Sequence, residues 1–100
     1  MEKRQLGNSA IEVSAIALGT MTWGEQNSEA EAFEQIRVAR EHGVNFIDTA
    51  EMYPVPPIAE TYGETERIIG NYFERFGGRG DWVLASKVAG PHRIEHIRNG

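Results

Sequence analysis

The chain contains no cysteine. That excludes disulfides and thiolate metal centres, and it leaves the redox compartment open. Basic charge is not in excess: 10 Lys and Arg stand against 15 Asp and Glu, for a formal net charge of −5. An acidic chain is poorly matched to nucleic acid or an anionic membrane as its main partner. No apolar run approaches the roughly 20 residues that cross a bilayer. The opening Met1-Glu2-Lys3-Arg4-Gln5-Leu6-Gly7 lacks the apolar core of a signal peptide. A cytoplasmic protein is therefore the default expectation. Low-complexity stretches and internal linkers are missing too, and 100 residues suffice for one small domain. What remains is ordinary globular composition, 40% hydrophobic and 25% charged.

Apolar patterning divides this chain into short elements. Arg4 to Leu6 and Ile11 to Val13 flank Gly7-Asn8-Ser9-Ala10 and read as a hairpin. Ala15-Ile16-Ala17-Leu18, ending at Gly19, reads as a strand buried on both faces. Ser28-Glu29-Ala30-Glu31 matches a capping box. The helix it opens places Ala32, Phe33, Ile36 and Ala39 on one face. Arg40 and His42 suit its negative end, and Gly43 its termination. Val44 to Ile47 form the next strand, ending at Asp48. Pro54, Pro56 and Pro57 make 49–63 a loop, and a βα loop this long suggests function. A second helix spans about 64–76, with Ile68, Ile69, Tyr72, Phe73 and Phe76 apolar and Gly77-Gly78 at its end. Trp82 to Ser86 form a third buried strand ending at Lys87, and Pro91 to Gly100 show no pattern.

Strands alternating with helices imply right-handed βαβ units and a parallel sheet. The strand ends recur roughly 30 to 40 residues apart, a repeat shared by (β/α)8 barrels and doubly wound sheets. The first βα turn, Gly19-Thr20-Met21-Thr22-Trp23-Gly24, is not a GxGxxG fingerprint, which weakens the doubly wound option. Three strands cannot close a barrel, and they leave bare edges and an uncovered face. The favoured expectation is one incomplete α/β domain over residues 1–100, a hairpin at 1–13 and about three βα units.

In such an architecture functional groups collect at the C-terminal ends of the strands. Thr20, Asp48 and Lys87 stand there, and Tyr53 follows Asp48 on the long loop. A free tyrosine titrates near pH 10, too high for efficient proton donation at neutral pH. A nearby ammonium favours the phenolate, and a carboxylate can hold that ammonium charged and oriented. Tyr53 could then donate a proton to a carbonyl oxygen. Hydride must come from elsewhere, and a nicotinamide cofactor supplies it in many enzymes. Taken singly, Asp48 reads as a turn or cap residue, Lys87 as a solvated charge and Tyr53 as packing. Only their combination points to chemistry.

Residues 43–53, Gly-Val-Asn-Phe-Ile-Asp-Thr-Ala-Glu-Met-Tyr, closely resemble the signature of the aldo-keto reductases. Gly63-Glu64-Thr65-Glu66-Arg67-Ile68-Ile69-Gly70 is similar to its continuation, Ala85-Ser86-Lys87 to a third motif, and the turn at 19–24 to the family's first strand end. Residues 24–30 and the proline-rich 50–57 resemble the Tas-type branch. The resemblance implies the N-terminal portion of a (β/α)8 TIM barrel and NADPH-dependent reduction of small aldehydes or ketones, with NADH not excluded. It implies Tyr53 as proton donor, Lys87 as the group that tunes it and Asp48 as the partner of Lys87. Gly19, Thr20, Met21 and Asp48 would contact the cofactor, Trp23 and Tyr53 would line the substrate pocket, and the hairpin would plug the N-terminal end of the barrel.

The family's fourth catalytic residue, a His ending strand four, has no counterpart here, and the phosphate- and adenine-binding loops are likewise outside the chain. His42 lies at the wrong end of the sheet. His92 and His96 have the i, i+4 spacing of zinc ligands, but no third ligand is well placed, and no metal is expected. Trp82 reads as packing rather than as a stacking platform. Two alternatives stay open. One is a regulatory, channel-subunit type of protein that keeps the cofactor site; the other is a truncated, inactive product. Oligomeric state is not legible.

Overall fold

The computed structural model describes residues 1–91 and 95–97. Strands β1 (Lys3–Gln5) and β2 (Glu12–Ser14) pair antiparallel with Arg4 opposite Val13. Their turn closes through Leu6 N–H donating to Ile11 O at 2.8 Å and Ser9 Oγ donating to Leu6 O at 2.6 Å. The hairpin is as expected, displaced by one residue. Asn45 ties it to the rest of the chain. Its Oδ1 accepts from Ser14 N–H at 2.6 Å, its N–H donates to Ser14 Oγ at 3.1 Å, and its Nδ2 donates to Glu12 O at 3.1 Å. Asn45 immediately precedes the central parallel strand, so the hairpin sits at the N-terminal end of the sheet.

The parallel sheet has the order β3-β4-β5, with β3 Leu18–Gly19, β4 Phe46–Asp48 and β5 Val83–Ala85. Leu18, Ile47 and Leu84 share one row of the register; Gly19, Asp48 and Ala85 share the next. Successive side chains on a strand point to opposite faces. The Leu18–Ile47–Leu84 row therefore faces the helices, where Ile47 is fully buried with Leu18 and Leu84 packed against the same core. The Gly19–Asp48–Ala85 row faces the other way, together with Phe46 and Val83; Gly19 is exposed and the other four are half-buried.

Helix α1 (Glu29–Glu41) begins with the expected capping box: Ser28 Oγ accepts from Glu31 N–H, and the Glu31 carboxylate accepts from Ser28 N–H. Ala32 and Ile36 are buried, and Phe33 and Ala39 pack beside them. Gly43, just beyond α1, takes φ +84°, a left-handed conformation that glycine adopts without penalty. Helix α2 (Glu64–Phe76) buries Ile68, Ile69 and Tyr72. Phe76 was expected on that face but is 54% exposed, its ring edge-on to Phe33 at 5.7 Å. Each fully buried isoleucine in this core contributes roughly 1.5–3 kcal/mol relative to exposure. A 3-10 turn at Arg79–Asp81 leads into β5, and Trp82 is buried in the core as expected of a packing residue.

One expectation about the strands needs correction. The strand foreseen at Ala15–Leu18 is confined to Leu18–Gly19, and Ile16 is 60% exposed. Ala15 N–H donates to Glu2 O at 2.8 Å, so this segment prolongs the hairpin instead of the parallel sheet. Its apolarity alone could not distinguish these partners. Within the patternless segment from Pro91, Ile97 is buried and the His96 ring lies 4.9 Å from that of Tyr62. His92, half of the zinc spacing, lies outside the described residues.

Candidate active site

The parallel ladder does not stop where the regular strands do. Val83 N–H donates to Asn45 O at 2.7 Å, Thr49 N–H to Ala85 O at 2.8 Å and Glu51 N–H to Lys87 O at 3.1 Å. The backbone after Asp48 thus runs alongside the backbone leading into Lys87, which brings two residues far apart in sequence to one end of the sheet. Lys87 Nζ donates to both Asp48 carboxylate oxygens, at 3.0 and 3.1 Å, and to Thr49 O at 2.7 Å. Buried Thr20 donates from its hydroxyl to Asp48 O at 2.9 Å, joining β3 to the same point.

Tyr53 reaches this point from the loop. Its N–H donates to Ala50 O at 3.2 Å, and its carbonyl accepts from Gly63 N–H at 3.0 Å. Pro54 behind it is fully buried, and Val55 N–H donates to Met21 O at 2.9 Å. The prolines that rule out a regular element thereby give a loop anchored at both ends. The ammonium of Lys87 stands 5.2 Å from the Tyr53 ring centroid. Asp48, Tyr53 and Lys87 are gathered as the sequence suggested.

Burial acts to lower the pKa of Lys87, but the hydrogen bonds and charge of Asp48, reinforced by the Tyr53 phenol, outweigh it and raise the value above that of an ordinary lysine. About half of each side chain is exposed, 52% for Lys87 and 47% for Asp48. A pair this wet contributes only about 0–1 kcal/mol to stability. Its consequence is orientation of the ammonium, more than stabilisation of the fold.

Asp48 and Tyr53 line a cleft of about 260 Å³ together with Gly19, Thr20, Met21 and Thr22, while Lys87 stands outside its lining. Every residue foreseen at the cofactor lines it. Met21 is 52% exposed at its rim. Thr22, not foreseen, also lines it and donates to Asn27 Oδ1 at 2.5 Å. Trp23 does not fit its expected place in a substrate pocket. Its side chain is 0% exposed within the helix–strand core, where Nε1 donates to Gln35 Oε1 at 2.9 Å. The turn from Gly19 to Gly24 crosses from cleft to core within four residues, and sequence could not show on which side the indole falls. His42 caps α1, its Nδ1 2.8 Å from Val38 O, and takes no part in this cluster. Among the described residues no group of His, Asp and Glu is gathered as metal ligands would be.

Glu51 is the residue that sequence reading passed over. Its carboxylate accepts from Ala89 N–H at 3.0 Å while its own N–H donates to Lys87 O. A loop glutamate ordinarily reads as a solvated charge, and no local pattern marks this one as different.

Comparison with known proteins bears on the family and the fold. The family model described as "Aldo/keto reductase family" matches residues 15–100. Protein tas of Escherichia coli is 52% identical over 93 residues, covering 93% of this chain and 27% of that protein. The uncharacterized oxidoreductase YrpG of Bacillus subtilis is 39% identical over 92 residues, covering 91% of this chain and 27% of its own length. The solved structure of aldo-keto reductase AKR11C1 from Bacillus halodurans, in its holo form, superposes with a TM-score of 0.71 at 35% identity, covering 88% of this chain and 26% of that one. The chain thus spans about a quarter of the length of the relatives it matches. With its parallel βα units, its strand-end cluster and a family match over most of its length, the chain belongs to the aldo/keto reductase family.

Proposed function

We propose that the complete protein carrying this chain is an oxidoreductase that reduces small aldehydes or ketones to alcohols, with NADPH as the donor and Tyr53 as the proton source. The observation that carries this reading is Lys87 Nζ, bonded to both oxygens of Asp48 and 5.2 Å from the centroid of the Tyr53 ring, with Asp48 and Tyr53 lining one cleft. A reduced nicotinamide supplies the hydride when bound. The cleft is open and lined by small and polar groups, Gly19, Thr20 and Thr22 beside Asp48 and Tyr53, which suits contact with one polar end of a larger cofactor. Gly19 presents no side chain to it, and nothing crowds that position. The residues present therefore fit the nicotinamide–ribose end of such a cofactor.

The roles follow from charge. As a carbonyl oxygen gains negative charge, the Tyr53 hydroxyl transfers its proton to that oxygen. The Lys87 ammonium stabilises the phenolate left behind, because it is held charged and in place by Asp48. Thr20 holds the backbone of Asp48, and the 49–63 loop holds Tyr53 in front of the ammonium.

The test is Tyr53→Phe and Lys87→Met in the complete enzyme. Each is expected to lower kcat by about 10²- to 10⁴-fold, the range contributed by a positioned acid or base, while leaving NADPH binding near that of the parent. Undiminished turnover in Tyr53→Phe would refute the proton-donor role. If the parent binds NADPH but oxidises it with no carbonyl compound, a regulatory binding function replaces the enzymatic one.

A further inference from the structure

We infer that Glu51 is a positioning residue for Lys87, which it holds through the backbone of residues 87–89. The inference rests on the proposed role of Lys87 in proton transfer from Tyr53. Residues 86–90 follow β5 without regular secondary structure, and Val88 is 79% exposed. Lys87 thus stands two residues past the last regular strand residue, where the ladder continues through the Glu51 N–H bond to its carbonyl. Besides the bonds of the Lys87 ammonium to Asp48 and Thr49, Glu51 ties the backbone of this segment to the turn after Asp48. Its N–H donates to Lys87 O at 3.1 Å, and its carboxylate accepts from Ala89 N–H at 3.0 Å. The bonds span the residue pair that carries the exposed Val88, so they fix the chain on either side of it.

Such a brace matters because the pair it supports is a weak clamp. A lysine side chain is a flexible four-carbon stem with large rotamer freedom. Asp48 and Lys87 are each about half exposed, so solvent screens their attraction. The geometry of the ammonium then depends on where the Lys87 backbone is held as well as on Asp48 and Thr49. Small misplacements of a catalytic group have large kinetic effects, about 10²-fold for 1 Å. Glu51 follows Asp48 by three residues and precedes Tyr53 by two, so one short turn carries the carboxylate, the brace and the phenol. The brace couples that turn to the segment bearing the fourth group, the ammonium.

The experiment compares Glu51→Ala, Glu51→Gln and Lys87→Met in the complete enzyme, measuring kcat, KM, NADPH affinity and the pH profile of kcat. Glu51→Ala removes the bond to Ala89, and kcat is expected to fall about tenfold or more, a fraction of the 10²- to 10⁴-fold carried by positioned acid–base catalysis. KM and NADPH affinity should stay within about twofold, since neither substrate nor cofactor touches Glu51 on this reading. The pH profile of kcat should differ from the parental one, because a displaced ammonium supports proton transfer from the phenol less well. Glu51→Gln keeps an oxygen acceptor for Ala89 N–H and should recover most of kcat and the parental profile. Parental kcat and profile in Glu51→Ala, beside an inactive Lys87→Met, would overturn the brace and spare the proton-donor reading. Equal impairment of the Gln and Ala variants would overturn it as well, since charge rather than the hydrogen bond would then be responsible. Full activity in Lys87→Met would overturn the reading itself and the brace with it.

Discussion

Lys87 carries more information than any other side chain in this molecule, because its environment sets when it loses its charge. Asp48 and Tyr53 overcome the opposing effect of burial, so its pKa lies above the ordinary value of 10.5. The sign of the linkage follows. A raised value means that the folded state holds the proton more tightly, so the contribution to folding is complete below pH 10.5 and fades as pH climbs through the folded value. Neutral pH therefore leaves this group fully charged and indifferent to small pH changes. We expect the Nζ resonance of Lys87, followed by NMR in the complete enzyme, to titrate above 10.5, and to titrate lower in Asp48→Asn. An unchanged midpoint in Asp48→Asn would show that the carboxylate does not hold the ammonium. At this scale the sequence named the members of the cluster but not their supports. Asp48, Tyr53 and Lys87 are residue types with distinctive chemistry at strand ends. Glu51 and Thr20 act through hydrogen bonds to residues distant in sequence, and spacing along a chain does not encode those.

Among the elements, the helices were the most legible and the strands the least. The capping box at Ser28 and the glycine pair after Phe76 are local signals, and both helices lie where they predict. Strand length depends on what lies alongside, and β3 shrinks to two residues because its preceding segment bonds to the hairpin. The turn between β3 and α1 depends on glycine at one position. Gly24 has φ +98°, and an added Cβ would stand 2.6 Å from Glu64 Cγ and 3.1 Å from Glu64 Cβ. Backbone strain of this kind costs about 1–3 kcal/mol, and here the first turn of α2 would also have to move. Gly24→Ala is therefore expected to lower stability by at least about 1 kcal/mol, read from the urea midpoint of the complete enzyme. Because Thr65 Oγ1 donates to Trp23 O at 2.5 Å, the displaced helix start would pull on the same turn. An unaltered midpoint would mean that the turn relaxes more freely than its packing implies.

For the whole molecule, the dominant fact is an open sheet with one covered face. Helices α1 and α2 pack on the Leu18–Ile47–Leu84 row and bury Ile47 fully, Phe46 and Val83 on the other face are half-buried, and among the described residues β3 and β5 each pair with β4 alone. Ile16 at 60% and Val88 at 79% exposure add further apolar surface. Unpaired parallel edges and exposed apolar rows favour association. Residues 1–100 made alone should bind a hydrophobic dye such as ANS and sediment as concentration-dependent oligomers. A dye-silent monomer with a cooperative melt would show that this portion satisfies its own surface.

The βα order, both helices, the hairpin and the residue types that meet at the strand ends were legible in the chain, because capping, periodicity and turn chemistry act over a few neighbours. The tertiary structure alone decided that Trp23 belongs to the core, that Ala15–Ala17 follow the hairpin, that Ile97 is buried, and that Glu51 reaches the Lys87 segment. Those outcomes depend on which face of an element meets which partner. That choice is made by packing and by hydrogen bonds between residues far apart in the chain.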